Sequence, residues 1–187
     1  MFPPAPPSSI YQLLRDCTVR IELNSKPNGT GFFVAPGLVL TCAHVVTNTP
    51  ANSTLTITWK QQSLPARLSK NSDVEYPDLA LLDVDFTDHP CIYLLNDAQP
   101  FDRLYSYGYP DNYPHGDPAT LECEGTANGQ KPLLRLKDAQ IRPGMSGAPV
   151  LNLRTQRACG LMQLTRGRDN TMGGRALPTS MILQTFP

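Results

Sequence analysis

Ser146 stands in the run Arg142-Pro143-Gly144-Met145-Ser146-Gly147-Ala148-Pro149-Val150, a Gly-x-Ser-Gly arrangement of small residues around a hydroxyl. A serine hydroxyl is a poor nucleophile at neutral pH, so it implies acyl transfer only where a base, and a group that orients the base, stand elsewhere in the chain. Both are present upstream. Thr41-Cys42-Ala43-His44-Val45-Val46 supplies His44 at the end of an apolar strand, and Pro77-Asp78-Leu79-Ala80-Leu81-Leu82 supplies Asp78 at the mouth of another. An imidazole titrates near working pH, so His44 would take the Ser146 proton during attack and return it to a leaving amine. A carboxylate at Asp78 would hold the other ring nitrogen, fixing the tautomer and stabilising the imidazolium. Gly144 precedes the serine by two residues. Only glycine easily adopts the backbone angles that let its N–H join that of Ser146 in facing a developing oxyanion.

Each residue alone has a plainer reading. Gly-x-Ser-Gly is an ordinary turn, His44 a partly buried histidine and Asp78 the polar start of a strand. Their joint occurrence points to a His44-Asp78-Ser146 triad. A peptide-binding module on a protease scaffold, with catalysis lost, is the alternative, although none of the three positions is substituted.

The elements that must position these residues are mostly strands. Pro3, Pro4, Pro6 and Pro7 make residues 1–8 an extended leader. Ser9, with Gln12 three residues on, then reads as a capping box opening a short helix through Asp16. Alternating or apolar runs predict strands at 18–23, 32–35, 38–42, 54–59 and 79–84, then at 103–109, 119–125, 133–137, 148–151 and 158–164. Ser180 is expected to cap a short C-terminal helix over 181–186. With 13 glycines and 19 prolines, the chain suits many short strands linked by loops. No internal repeat is visible.

Composition bounds the function. At 187 residues and 40% hydrophobic content the chain can bury one substantial core or two small barrels sharing an interface. Sixteen basic residues balance 16 acidic ones with no basic block, which argues against nucleic acid as a partner. No run approaches the roughly 18 apolar residues of a membrane span, and the start lacks the basic and apolar regions of a secretion signal. Cys17, Cys42, Cys91, Cys123 and Cys159 are odd in number and without metal-like spacing. They read as buried thiols of a cytoplasmic protein with no metal or other cofactor.

The chain order His44, Asp78, Ser146 is that of the chymotrypsin-type double barrel and not of subtilisin or the α/β-hydrolases. Together with Gly29-Thr30-Gly31-Phe32-Phe33-Val34, Asp78-Leu79-Ala80-Leu81 and Gly144-Met145-Ser146-Gly147-Ala148-Pro149-Val150, it resembles the chymotrypsin/trypsin-like serine protease family over about residues 18–164. The surroundings of Ser146 are most similar to the HtrA-type branch, without the PDZ domain usual there. The resemblance implies an all-β fold of two six-stranded antiparallel β-barrels, about 9–95 and 96–187, with short N- and C-terminal helices. It also implies a serine endopeptidase working through an acyl-enzyme.

In that family the residue six before the nucleophile lies at the base of the pocket for the substrate side chain preceding the cut. Here that residue is Gln140, with Met162, Gln163, Leu164 and Thr165 on the opposite wall. This implies a neutral pocket, unless Asp138 reaches it and favours a basic side chain. Family members that activate by N-terminal cleavage pair the new terminus with an aspartate before the nucleophile. Met145 occupies that position, so the site is either preformed or ordered by a partner through the loops at 110–118 and 165–174. The stretch from Thr30 to Val45 and the Ala176-Leu177-Pro178 ending also look like the effector domains of bacterial STAND-type sensor proteins. That likeness would make this chain a module of an antiphage system regulated by a sensor, its end at Pro187 a module boundary.

Two other histidines are weaker candidates. His115 lies between Asp111 and Asp117, where a solvated turn is a better reading than a metal site because the spacing matches no tight ligand pattern. His89, beside Pro90, has no partner legible in the sequence.

Overall fold

The computed structural model of the chain describes residues 9–47, 53–138, 141–163 and 173–187. Helix α1 (Ile10–Cys17) begins where Ser9 Oγ accepts the Gln12 N–H at 3.3 Å. The reciprocal half of the expected capping box is not made, because the Gln12 side chain donates forward to Asp16 Oδ1 at 3.0 Å. Six strands follow: β1 (Thr18–Leu23), β2 (Lys26–Ala35), β3 (Leu38–Thr41), β4 (Leu55–Trp59), β5 (Gln62–Asn71) and β6 (Ala80–Val84). Between β3 and β4 lies a one-turn helix, α2 (Ala43–Val46). The second half holds β7 (Arg103–Gly108), β8 (Asp117–Ala127), β9 (Leu133–Lys137), β10 (Pro149–Asn152), β11 (Arg157–Gln163) and β12 (Gly174–Pro178), then α3 (Thr179–Thr185).

Each set of six closes into an antiparallel barrel, in the orders β1-β2-β3-β6-β5-β4 and β7-β8-β9-β12-β11-β10. The two orders are the same topology repeated, although no sequence repeat announces it. Closure removes every free sheet edge. Ile21, Phe33, Val39, Ile57 and Leu82 share one face of the first barrel's strands and fill it, and Leu104, Leu134, Leu136, Val150 and Met162 fill the second, all essentially without solvent exposure. Full burial of each such side chain contributes about 1.5–3 kcal/mol.

Two strands are additional to those read from the sequence. β5 is mostly exposed and carries Pro65, so it lacks an apolar alternation. The turn leading into it, Lys60-Gln61, takes positive φ at both residues (45° and 68°) without the usual Asn or Gly. β12 follows a glycine-rich stretch and ends in Pro178, which masks its strand character. β2 starts at Lys26, earlier than expected, across a similar turn at Asn24-Ser25. At the last helix, Pro178 rather than Ser180 is the capping residue. The Ser180 N–H is instead taken by Asn96 Oδ1 at 3.4 Å.

Four cysteines are buried, and Cys91 is half-exposed, which corrects the expectation of five buried thiols. Burial first of all pushes the Cys17 thiol up to about 12 and holds Cys42 and Cys159 far above the ordinary thiol range. His89 has partners after all. Its ring stacks on Phe33 with centroids 3.5 Å apart, and its Nε2 accepts the Gly37 N–H at 3.0 Å, closing the β2–β3 turn.

Arg154 fastens the segment joining the barrels. It donates to Asp102 through Nε (3.0 Å) and Nη2 (2.9 Å) and to the Asp97 carbonyl (2.9 Å). Asp102 also accepts the Gln99 N–H and the Asn152 amide. The Arg154 guanidinium first, against the opposing pull of burial, and then the Gln99 N–H and the Asn152 amide hold the Asp102 carboxyl well below the usual carboxylate range. A carboxyl depressed on folding stabilises the native state above its unfolded pKa of about 3.9 and loses that contribution as pH falls toward its folded value. Thermal unfolding of wild type and Asp102→Asn followed from pH 7 to pH 2 should therefore show wild type more stable at pH 7, with the gap closing below about pH 4. A gap independent of pH would remove Asp102 from this role.

Candidate active site

Asp78 and His44 meet in the first barrel. Ala43 and His44 open the single turn of α2, so the His44 backbone N–H has no partner within the helix. Asp78 supplies one. Its Oδ1 accepts the His44 N–H at 2.9 Å, its Oδ2 lies 2.7 Å from His44 Nδ1, and its own carbonyl accepts the Ala43 N–H at 3.1 Å. One buried carboxylate thus orients both the backbone and the ring of the histidine. With Nδ1–H directed at Asp78, Nε2 is left as the acceptor. His44 lies in the helical turn after β3, not at a strand end, and Asp78 lies two residues before β6.

The Asp78 backbone is unusual, at φ 62° after the cis Tyr76–Pro77 peptide. Aspartate tolerates the left-handed region better than most residues. Surrounding contacts hold it there: Asp78 N–H donates to the Asp73 carbonyl at 2.9 Å, and Ser72 pairs with Leu79 in both directions. Gln163, at the end of β11, donates its amide to the Pro77 carbonyl at 2.7 Å, so the second barrel supports the loop that carries Asp78.

Ser146 lies in the second barrel before β10, in backbone gripped by the first. Thr30 in β2 is fully buried. Its N–H donates to the Ser146 carbonyl at 2.9 Å, its Oγ1 donates to the Gly144 carbonyl at 2.8 Å, and the same Oγ1 accepts the Tyr109 N–H at 2.9 Å. Gly147 at φ 87° lies so close that a Cβ there would collide with the Thr30 carbonyl oxygen. Its N–H donates to the Met162 carbonyl, which also accepts Cys42 Sγ at 3.5 Å. Thr30 was legible only as part of a Gly-Thr-Gly run. Nothing in the sequence signals its two-sided grip.

Arg142-Pro143-Gly144-Met145 forms a turn closed by Met145 N–H to the Arg142 carbonyl at 3.1 Å, with Gly144 at φ 94°. Proline followed by a residue of positive φ is the type II arrangement. A Cβ on Gly144 would stand 2.5 Å from the Tyr109 carbonyl oxygen, so glycine is required for space as well as for φ. Among the described residues, neither the Gly144 N–H nor the Ser146 N–H donates to a protein acceptor. Ser146 Oγ is buried and makes no hydrogen bond to the described residues either, so the expected link from His44 to Ser146 is not closed in this structure. Catalytic hydrogen bonds in unliganded sites often tighten only when substrate arrives.

Of the pocket residues, Gln140, Leu164 and Thr165 lie outside the described residues. The Met162 side chain is fully buried in the core of the second barrel, and Gln163 is committed to Pro77. Asp138 is exposed at the end of β9.

Among the described residues one group has metal-ligand chemistry, Cys42 with His44 and Asp78, whose donor atoms lie within 4.8 Å of one another. The Cys42 thiol is fully buried and kept protonated by burial first and the Asp78 charge second, and it spends its proton on the Met162 carbonyl. It suits packing better than ligation. His115 joins no such group, and its carbonyl accepts the Tyr107 hydroxyl. No helix among the described residues is long and apolar enough to cross a membrane.

The model of the trypsin-like peptidase domain family matches residues 29–161. No curated protein matches the sequence. Among solved structures, the active form of the Rv3671c protease from M. tuberculosis is similar at a TM-score of 0.79 and 18% identity, covering 94% of this chain and 81% of that one. A serine endoprotease from Yersinia pestis is similar at 0.76 and 24% identity, over 96% of this chain and 66% of that one. The MamO protease domain from Magnetospirillum magneticum is similar at 0.73 and 21% identity, over 95% and 99%. At these identities the likeness is one of fold. With two closed barrels of matching topology and a family model covering most of the chain, this protein belongs to the trypsin-like peptidase domain family and is a serine endopeptidase.

Proposed function

We propose that Ser146 is the nucleophile of this peptidase, His44 its general base and acid, Asp78 the group that orients His44, and the N–H groups of Gly144 and Ser146 its oxyanion hole. The observation that carries this reading is the double engagement of His44 by Asp78, at 2.9 Å to the backbone N–H and 2.7 Å to Nδ1, which leaves Nε2 free to accept a proton. Ser146 Oγ attacks the scissile carbonyl carbon while its proton passes to His44 Nε2. The oxygen, now negative, is met by the two N–H groups. The C–N bond then breaks, His44 gives the proton to the departing amine, and an acyl-enzyme remains on Ser146. Water, deprotonated by His44, repeats the sequence and releases the acid.

The substrate is a protein or peptide. With Met162 buried in the second core and Gln163 bound to Pro77, we assign the pocket for the side chain before the cut to Gln140, Leu164 and Thr165, and the neutral Gln140 favours an uncharged side chain. Met145 is buried and cannot form an ion pair, so activation by an inserted N-terminus is absent from this chemistry. We further propose a cytoplasmic enzyme controlled by a sensor or regulatory protein, acting as an effector in antiphage defence. The likeness of residues 30–45 and of the Ala176-Leu177-Pro178 ending to such effector domains supports this.

One observation favours the silent-module reading: Ser146 Oγ has no hydrogen-bond partner among the described residues. The two readings separate on covalent labelling. A fluorophosphonate read by intact mass should label wild type once, at Ser146, and should fail to label Ser146→Ala or His44→Ala. Peptide hydrolysis should fall about a million-fold in Ser146→Ala and about 10⁴-fold in Asp78→Asn. Peptide binding without labelling or turnover would instead establish the module.

The grip of Thr30 yields a separate expectation. Thr30→Val keeps the shape but orphans the Gly144 carbonyl and the Tyr109 N–H, at about 1–3 kcal/mol for each buried group left unpaired. Urea denaturation should show that loss, and labelling of Ser146 should slow with it. Unchanged stability and labelling would remove Thr30 from its place between the barrels.

A further inference from the structure

Pro143 and Gly144 share a peptide whose orientation decides whether the Gly144 N–H faces the oxyanion. Rotating that peptide would put the Pro143 carbonyl where the donor should be. The structure contains a lock against this. The Pro143 carbonyl accepts the Asp111 N–H at 3.1 Å. In a trans peptide the C=O and N–H point in opposite directions. The Gly144 N–H is therefore turned away from Asp111, toward the side left without an acceptor among the described residues.

Asp111 is held by its loop, which lies against Gly144. Tyr113 N–H donates to the Pro110 carbonyl at 2.8 Å and Gly116 N–H to the Tyr113 carbonyl at 2.9 Å, making two successive turns. Arg142, immediately before Pro143, reaches back over this loop. Its guanidinium lies 4.9 Å from the centroid of the Tyr113 ring and 3.7 Å from Asp117 Oδ2. Arg20 adds a bond to the Pro114 carbonyl at 3.2 Å, which ties the loop to β1 as well.

We propose that Arg142 is a positioning residue for catalysis: by clamping Tyr113 and Asp117 it keeps Asp111 on the Pro143 carbonyl, and thereby keeps the Gly144 N–H in the oxyanion hole. The inference rests on the assignment of Ser146 and Gly144 made above. Arg142 does not touch the reacting atoms. It acts through the peptide that follows it, so whatever lifts the 110–117 loop switches the site off without displacing Ser146 or His44.

The test uses the full chain and two reagents. Phosphonylation of Ser146 by a fluorophosphonate places a phosphonyl oxygen in the oxyanion hole, so its rate reports that hole. Carbethoxylation of His44 by diethyl pyrocarbonate, mapped by mass spectrometry, does not use the hole. Loss of a whole oxyanion donor costs about 10²–10³-fold, and loosening its lock should cost less. Arg142→Ala and Tyr113→Ala should each slow phosphonylation about 10-fold, and the double variant should be no slower, because both remove one clamp. Arg142→Lys should recover part of the rate, since lysine keeps the charge toward Asp117 but not the guanidinium over the Tyr113 ring. The His44 rate should stay at the wild-type value throughout. Phosphonylation of Arg142→Ala at the wild-type rate, or equal slowing of the His44 reaction, would overturn the proposal. Should Arg142→Ala not fold, Tyr113→Ala and Asp117→Asn decide the same question from the loop side. A wild type that never labels at Ser146 overturns the nucleophile assignment itself, a failure distinct from a labelled wild type with an unaffected variant.

Discussion

Thr30 is the point on which the two barrels and their shared site depend. It is a residue of the first barrel, yet it binds the carbonyls on both sides of Met145, those of Gly144 and Ser146, and thereby fixes the backbone of the second barrel where Ser146 sits. The hydroxyl that donates to Gly144 also receives the Tyr109 N–H, so its hydrogen bonding is satisfied in a fully buried position. Thr41 adds a further link by donating to the Thr30 carbonyl at 2.7 Å. A buried hydroxyl bonded on both sides is strong in low dielectric and costly to disturb. Glycine at 147 follows from the same contact, because any side chain there would fall on the Thr30 carbonyl.

Further bonds across this boundary run in both senses. Gln163 of the second barrel supports the Pro77 carbonyl next to Asp78, and the Met162 carbonyl takes both Gly147 N–H and Cys42 Sγ. Each barrel therefore holds the reactive part of the other. The proposed base, His44, and its orienting carboxylate belong to the first barrel, and the proposed nucleophile and oxyanion donors to the second. Their geometry exists only while the barrels remain docked. The Arg154–Asp102 junction, far from Ser146 in sequence, belongs to the same requirement because it anchors the connecting segment that lets the barrels meet.

Much of the site was legible because its chemistry demands residue types. A hydroxyl flanked by glycines, a histidine and an aspartate in one chain order leave few alternatives, and the strands around them follow from apolar alternation. What escaped reading did so for physical reasons. β5 is solvent-facing on a closed barrel, so it needs no apolar stripe, and its turn is made by Lys60 and Gln61 in conformations usually left to glycine or asparagine. His89 gains its partners from Phe33 and Gly37, more than 50 residues away. Asp111 acts through its backbone N–H, which carries no residue-type signature, and the side chains of Thr30 and Gln163 bind backbone carbonyls that only the fold brings near them. The likeness of the two barrels is likewise a property of strand order and not of sequence.

Two groups of positive φ angles in this chain differ in a way that bears on mechanism. Asn24-Ser25 and Lys60-Gln61 are paired residues in tight hairpins, where the twist of the strands rewards that conformation. Asp78, Gly144 and Gly147 are single residues at the site, each fixed by contacts from elsewhere. A non-glycine residue held there costs of order 1–3 kcal/mol and persists only where its surroundings over-determine it. At Asp78 those surroundings are Asp73, His44 and Ala43, and at one remove Gln163. The strain is therefore carried by the same bonds that aim His44. Loosening the boundary between the barrels would release it and misdirect the His44 ring, which couples the docking of the barrels to the aim of a single imidazole.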